Sequence, residues 1–213
     1  MKTKLIFYLG ILGVFLFVVT TVIAASLIAD YSHMSQLISE SYAIDTQYGL
    51  QLRLLGYIPS GVLLTLFCFL SVPYFKGSKL VKWAFIAVGF FYGIATVVVS
   101  IFPCDSGCNK ELINPSVAQL IHNASGALTY TLVPIAILLI GFGLKEKSDA
   151  KFAAQSKLLG ILSISFVFTL MNNQDSDLVG LYQRVVELSM LLWFILCALA
   201  VKNKGAHPSN PPE

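Results

Sequence analysis

Four residues of this chain have types and positions that could do chemistry: Asp105, His122, Arg184 and Glu187. His122 lies about a turn inside a long apolar run, 117–142. An ionisable side chain in such surroundings is costly, and it is usually kept because it pairs or acts. Asp105 follows the preceding apolar run, and a carboxylate that orients an imidazole makes it a general base. His122 as base and Asp105 as orienter are therefore the candidate catalytic pair. Ser100 is the nearest hydroxyl nucleophile in sequence. A Ser-His-Asp reading rests on geometry, and no strand-turn elbow accompanies this serine, so the signal is weak. Arg184 and Glu187 are three residues apart and share a helical face, and Arg53 opens another apolar run. Buried charges need partners, so Arg184 is expected to pair with Glu187 or Asp105. Asp105, His122, Arg184 and Glu187 are expected to converge in one hydrogen-bonded group. The same charges also fit a purely structural network closing one end of a bundle.

Cys104 and Cys108 flank Asp105 in a short loop, with Gly107 available for a sharp turn. On an oxidising side of a membrane they are expected to form a disulfide. The alternative is a copper or zinc site built from Cys104, Cys108 and His122. It lacks a fourth ligand, and no metal is assigned. The only histidines are His33, His122 and His207, which offers no facing pair to hold haem. No cofactor is expected. Cys68 and Cys197 lie inside apolar runs and read as packed side chains.

The elements that must position these residues follow from composition. The 213-residue chain is 56% hydrophobic and 12% charged, with mean hydropathy +0.78, where a soluble domain carries about 25% charged residues. Apolar runs at 5–29, 54–75, 80–102, 117–142, 152–171 and 179–201 are each near the ~20 residues needed to cross a bilayer as a helix. Backbone groups in lipid must be satisfied within the segment, so these are helices. The fifth run is the weakest, and the charge pattern supports it. Lys2, Lys4, Lys76, Lys79, Lys82, Lys145, Lys147, Lys151, Lys157, Lys202 and Lys204 fall on one side of a six-helix arrangement; only Arg53, Lys110 and Arg184 fall on the other. By the positive-inside rule, both termini are cytoplasmic. The fold class is thus an all-α integral membrane bundle of six transmembrane helices. Residues 1–201 form one domain, and 202–213, with three prolines, read as a disordered cytoplasmic tail. The first helix reads as uncleaved, because its apolar core exceeds the ~7–15 residues of a signal peptide.

Segment 32–42 in the first outer loop fits either a short helix on the membrane surface or a simple connector. Gly89 and Gly93 form a close-packing pattern on the third helix. Arg53, Tyr57, Ser60 and Gly61 on helix two, Gly89, Gly93, Thr96 and Ser100 on helix three, and His122, Ser125, Gly126 and Thr129 on helix four recur at helical spacing, and these faces should turn inward to one another. No basic block fits nucleic acid, and no phosphate-cradling loop is present.

Ile38-Ser39-Glu40, Ser100-Ile101-Phe102-Pro103-Cys104-Asp105, Ile121-His122-Asn123 and Gly180-Leu181-Tyr182-Gln183-Arg184, with Trp193 beyond, occur in that order. In this the chain resembles the prokaryotic membrane family called domain of unknown function 998. Phe-Pro-x-Asp followed by histidine is the most specific part. The resemblance implies a six-helix fold and marks Pro103, Asp105, His122 and Arg184. It implies no activity, and the cysteine pair does not look general to the family.

Together these observations point to a multi-pass protein of a bacterial cytoplasmic membrane. Its partners are membrane lipids, and a polar pocket at the outer side could take a lipid or small amphiphile. An enzyme acting on such a molecule through Asp105 and His122 is the alternative, and a small transporter is the third reading. Whether the protein is an enzyme stays open at this level.

Overall fold

A computed structural model describes residues 2–75 and 78–206. Six helices are long and apolar enough to cross a membrane. They are α1 (Lys2–Ser26), α2 (Gly49–Tyr74), α3 (Lys79–Ile101), α4 (Val117–Gly143), α5 (Ala150–Asn172) and α6 (Val179–Ala206). Among the described residues there is no strand. Each helix packs on its neighbours in the chain, and α1 packs on α6, so the six close into a ring. One end of the ring carries the long connections 27–48, 102–116 and 173–178. The other carries Lys79, Lys82, Lys145, Lys147, Lys151, Lys202 and Lys204; Lys76 lies outside the described residues. We call these the loop end and the lysine end.

Towards the lysine end the interior is filled by aromatic rings. Phe75 stacks on Phe85 at 5.0 Å, and Trp193 lies 5.7 Å from Phe85 and 5.9 Å from Phe152. The buried Trp193 indole N–H needs an acceptor, and the Ser156 hydroxyl supplies it at 2.9 Å. Lys204 reaches the buried Asp149 at 2.7 Å, tying the end of α6 to the start of α5. The helix thus runs through Ala206, where the sequence led us to expect a disordered tail from 202. Two things favour the added turn: the ion pair, and Lys204 lying near the negative helix terminus. The remainder of that tail, 207–213, lies outside the described residues.

Two helices widen into a π-helical turn on the way to the loop end: Arg53–Tyr57 in α2 and Gly89–Ile94 in α3. Pro59 lacks the N–H that would bond the Leu55 carbonyl in a regular helix, which loosens the α2 ladder there. In α3 the Thr129 hydroxyl of α4 donates to the Phe91 carbonyl at 2.6 Å, satisfying a backbone group that lipid could not. Gly61 and Gly93 bring α2 and α3 into backbone contact. A Cβ on Gly61 would sit 2.6 Å from the Gly93 carbonyl oxygen. The expected Gly89/Gly93 packing face is therefore used, and its partner is α2.

The first long connection dips into the ring. It forms a short 3-10 turn, Ile38–Tyr42, whose Ile38 and Tyr42 join the core. It is neither a helix on the membrane surface nor a plain connector.

Candidate functional site

A cavity of ≈ 360 Å³ lies inside the loop end of the ring. Phe17, Tyr57, Tyr92 and Thr96 wall it from α1, α2 and α3; His122, Gly126 and Tyr130 from α4; Gln183 and Glu187 from α6. Tyr42, from the inserted turn, covers it. Ala127 of α4 and Leu170 and Met171 of α5 form an apolar lip, while Lys110, Glu111, Gln174 and Asp175 form a polar rim.

Glu187 is 7% exposed, and its bonding can be read atom by atom. The Ile38 backbone N–H can only donate, and it donates to Gln183 Oε1 at 2.7 Å. The amide orientation of Gln183 is thereby set, and its Nε2 donates to the Tyr130 hydroxyl at 2.8 Å. Tyr130 has one proton, which goes to Glu187 Oε1 at 2.8 Å. The Tyr92 hydroxyl donates to Oε2 at 2.8 Å. Each of the two carboxyl oxygens thus accepts one tyrosine hydroxyl. Gln183 and Glu187 are one turn apart on α6, so both face the ring interior. Neither arginine touches Glu187.

The expected convergence of Asp105, His122, Arg184 and Glu187 is not found. The four belong to separate groups. Arg184 is held by the carbonyls of Gln36 at 2.8 Å and Gly180 at 3.0 Å and by the Tyr31 hydroxyl at 2.8 Å. It fastens the first connection to the start of α6 rather than pairing with a carboxylate. Gly180 permits this approach, since a Cβ there would meet the His33 carbonyl oxygen at 2.8 Å. Burial pushes the Tyr31 hydroxyl above its ordinary range, and the Arg184 charge beside it opposes that. Asp105 sits in the loop, where it accepts from the Ser116 N–H at 2.9 Å. Hydrogen bonds from the Ser116 side chain and backbone hold its carboxyl below the usual range. Its own backbone N–H donates to the buried Gln119 at 2.7 Å.

His122 does line the cavity. Its Nδ1 lies 3.1 Å from the Phe102 carbonyl oxygen. A carbonyl only accepts, so Nδ1 carries a proton. Phe102, not Asp105, orients this imidazole. Ser100 donates to the Thr96 carbonyl one turn back, at 2.7 Å, and makes no hydrogen bond to His122, so no Ser-His-Asp arrangement is assembled. Arg53 is buried, with Nε on the Gly49 carbonyl at 3.1 Å and Nη1 without a partner. The Cys104 and Cys108 sulfurs lie at disulfide distance, with Cα atoms 4.8 Å apart. They are thus drawn to each other and not to His122. Among the described residues no three His, Cys, Asp or Glu side chains are grouped to hold a metal ion.

Sequence reasoning gave no site role to Tyr42, Tyr57, Tyr92, Tyr130 or Gln183. A signal for some was present: Tyr92 and Tyr130 carry hydroxyls inside apolar runs, and such groups find partners when buried.

A family model matches residues 11–200, and its description is protein of unknown function (DUF998). No curated protein and no solved structure matches the chain.

Proposed function

The chain belongs to the DUF998 family. That description names no activity, so from the chain's own geometry we propose a membrane-embedded binding or accessory protein whose cavity holds a lipid or another small amphiphile. The ≈ 360 Å³ cavity carries this reading. Ligand sites in bundles are concave spaces of roughly 300–1,000 Å³ between helices, with a few convergent polar groups. The rim supports an amphiphile in particular, because an apolar lip and a polar border meet there. In this reading the loop end faces outward and the lysine end faces the cytoplasm of a bacterium, on the strength of the lysine distribution. Cys104 and Cys108 then form a disulfide on the oxidising side. A transport path has less support, since Phe75, Phe85, Phe152 and Trp193 fill the interior towards the lysine end.

An acid–base enzyme is the second reading, favoured by the presence of His122 in the cavity wall. Its orienting group would be the Phe102 carbonyl.

Gly126 offers the test, because a Cβ there meets nothing within 4 Å. Gly126→Trp should plug the cavity and leave the fold intact. In native mass spectrometry with added phospholipid, the wild-type protein should hold about one tightly retained lipid more than the variant. Equal retention in both would overturn the proposal.

A further inference from the structure

The class of ligand follows from what faces the cavity and from what does not. Among the described residues that line it, Glu187 is the only acid deep in the cavity, and its two oxygens are each satisfied by one tyrosine hydroxyl. A carboxylate has about four acceptor positions, so two remain open. No lysine or arginine is there to fill them. Lys110 is at the rim, 46% exposed and 3.0 Å from Glu40, Arg184 is bonded elsewhere, and Arg53, whose Nη1 has no partner, is not among the residues that line the cavity. The rim adds Glu111 and Asp175, so fixed negative charge prevails over positive charge on the lining.

The walls are aromatic. Tyr42 and Tyr57 are 4.6 Å apart, Phe17 is 5.3 Å from Tyr57 and 6.1 Å from Tyr92. Tyr42 is 6% exposed, and its hydroxyl has no hydrogen-bond partner among the described residues. Ring faces attract cations, and most strongly where water is excluded. A carboxylate within an aromatic enclosure is suited to an alkylated ammonium, whose charge it neutralises and whose methyl or methylene groups the rings cover.

We infer that the cavity binds an organic ammonium cation, with Glu187 as counter-ion and Tyr42, Tyr57, Tyr92 and Tyr130 as enclosing walls. This rests on the cavity reading above. The ammonium is the shared chemistry of two sources, an amphiphile's headgroup and a free small cation, and the probes separate them.

The full-length protein in a non-ionic detergent is dialysed against radiolabelled choline, its uncharged carbon isostere, hexyltrimethylammonium and hexyl sulfate. Choline and hexyltrimethylammonium should bind, and the isostere and the sulfate should not. Stronger binding of the hexyl compound identifies an amphiphile; equal binding identifies a free cation. Glu187→Gln keeps an acceptor for Tyr130 and should weaken ammonium binding by about tenfold or more. Tyr42→Leu, which removes no hydrogen bond, should also weaken it and guards against misfolding of the first variant. Should the isostere or the sulfate bind as well as the ammonium probes, and Gly126→Trp abolish all of it, the cation inference fails and the cavity reading survives. Binding of nothing by the wild-type protein, or equal binding by the Gly126→Trp variant, overturns both.

Discussion

Tyr130 is the residue on which the polar chain in the cavity turns. Its hydroxyl accepts from Gln183 and donates to Glu187, whereas Tyr92 makes only its bond to Glu187. Tyr130→Phe therefore leaves an amide donor and a carboxylate oxygen unpaired, and Tyr92→Phe leaves only the oxygen. Unsatisfied buried groups cost ~1–3 kcal/mol each. Intramembrane hydrogen bonds average nearer ~0.6 kcal/mol because the reference state finds other partners. Both changes should destabilise, by about 1–3 kcal/mol, with Tyr130→Phe the larger. Unfolding in mixed detergent would measure this, and a larger loss for Tyr92→Phe would contradict the bonding order. At this scale the sequence was only partly legible. His122 and Glu187 stood out because charge inside an apolar run is rare, and both face the cavity. Arg184 was misread because a carboxylate looked necessary, while two carbonyls and a hydroxyl suffice. Asp105 was misread because nearness in sequence to His122 carries no information about which carbonyl or carboxylate meets the ring.

The six spans were legible because hydropathy and length alone decide them. Even the weak fifth run forms a full helix. Its low apolarity has a cause: the Ser156 hydroxyl turns inward to accept from Trp193, and at Gly160 the helix meets Leu138 of α4, leaving a Cβ only 2.9 Å from the nearest atom. The π-helical turns were not legible. Pro59 and the glycines permit them, but Thr129, which satisfies the one in α3, lies on another helix. The extra turn of α6 was missed for a similar reason, since its support is Asp149, distant in sequence. That pair yields a prediction. Asp149 is 2% exposed at its side chain and Lys204 24%. Lys204→Met strands a buried carboxylate and should cost several tenths to about 3 kcal/mol, less than a fully buried pair because Lys204 keeps water contact. Combining it with Asp149→Asn should recover part of the loss, which a double-mutant cycle measures. Additive costs would show that the pair contributes nothing.

For the molecule as a whole, what no local pattern could reveal is the closure of the ring by α1 against α6. Periodicity tells which face of a helix is inward but not which helix it meets. Closure has a functional consequence. With aromatic rings filling the lysine end and an inserted turn covering the loop end, the free interior is a pocket with a lip between α4 and α5. We propose that this pocket is reached from outside the cell and holds a ligand. Cysteine accessibility in intact cells tests it most directly, with Cys68 and Cys197 replaced by alanine and the Cys104–Cys108 pair kept. Gly126→Cys puts a thiol in the open space of the cavity, and Leu128→Cys puts one on the 48%-exposed flank of the same helix. A small membrane-impermeant maleimide should label position 126 and not position 128, and an added ammonium amphiphile should slow the reaction. Labelling of neither, or labelling of position 126 only when the cytoplasmic side is opened, would show that the pocket does not open to the outside.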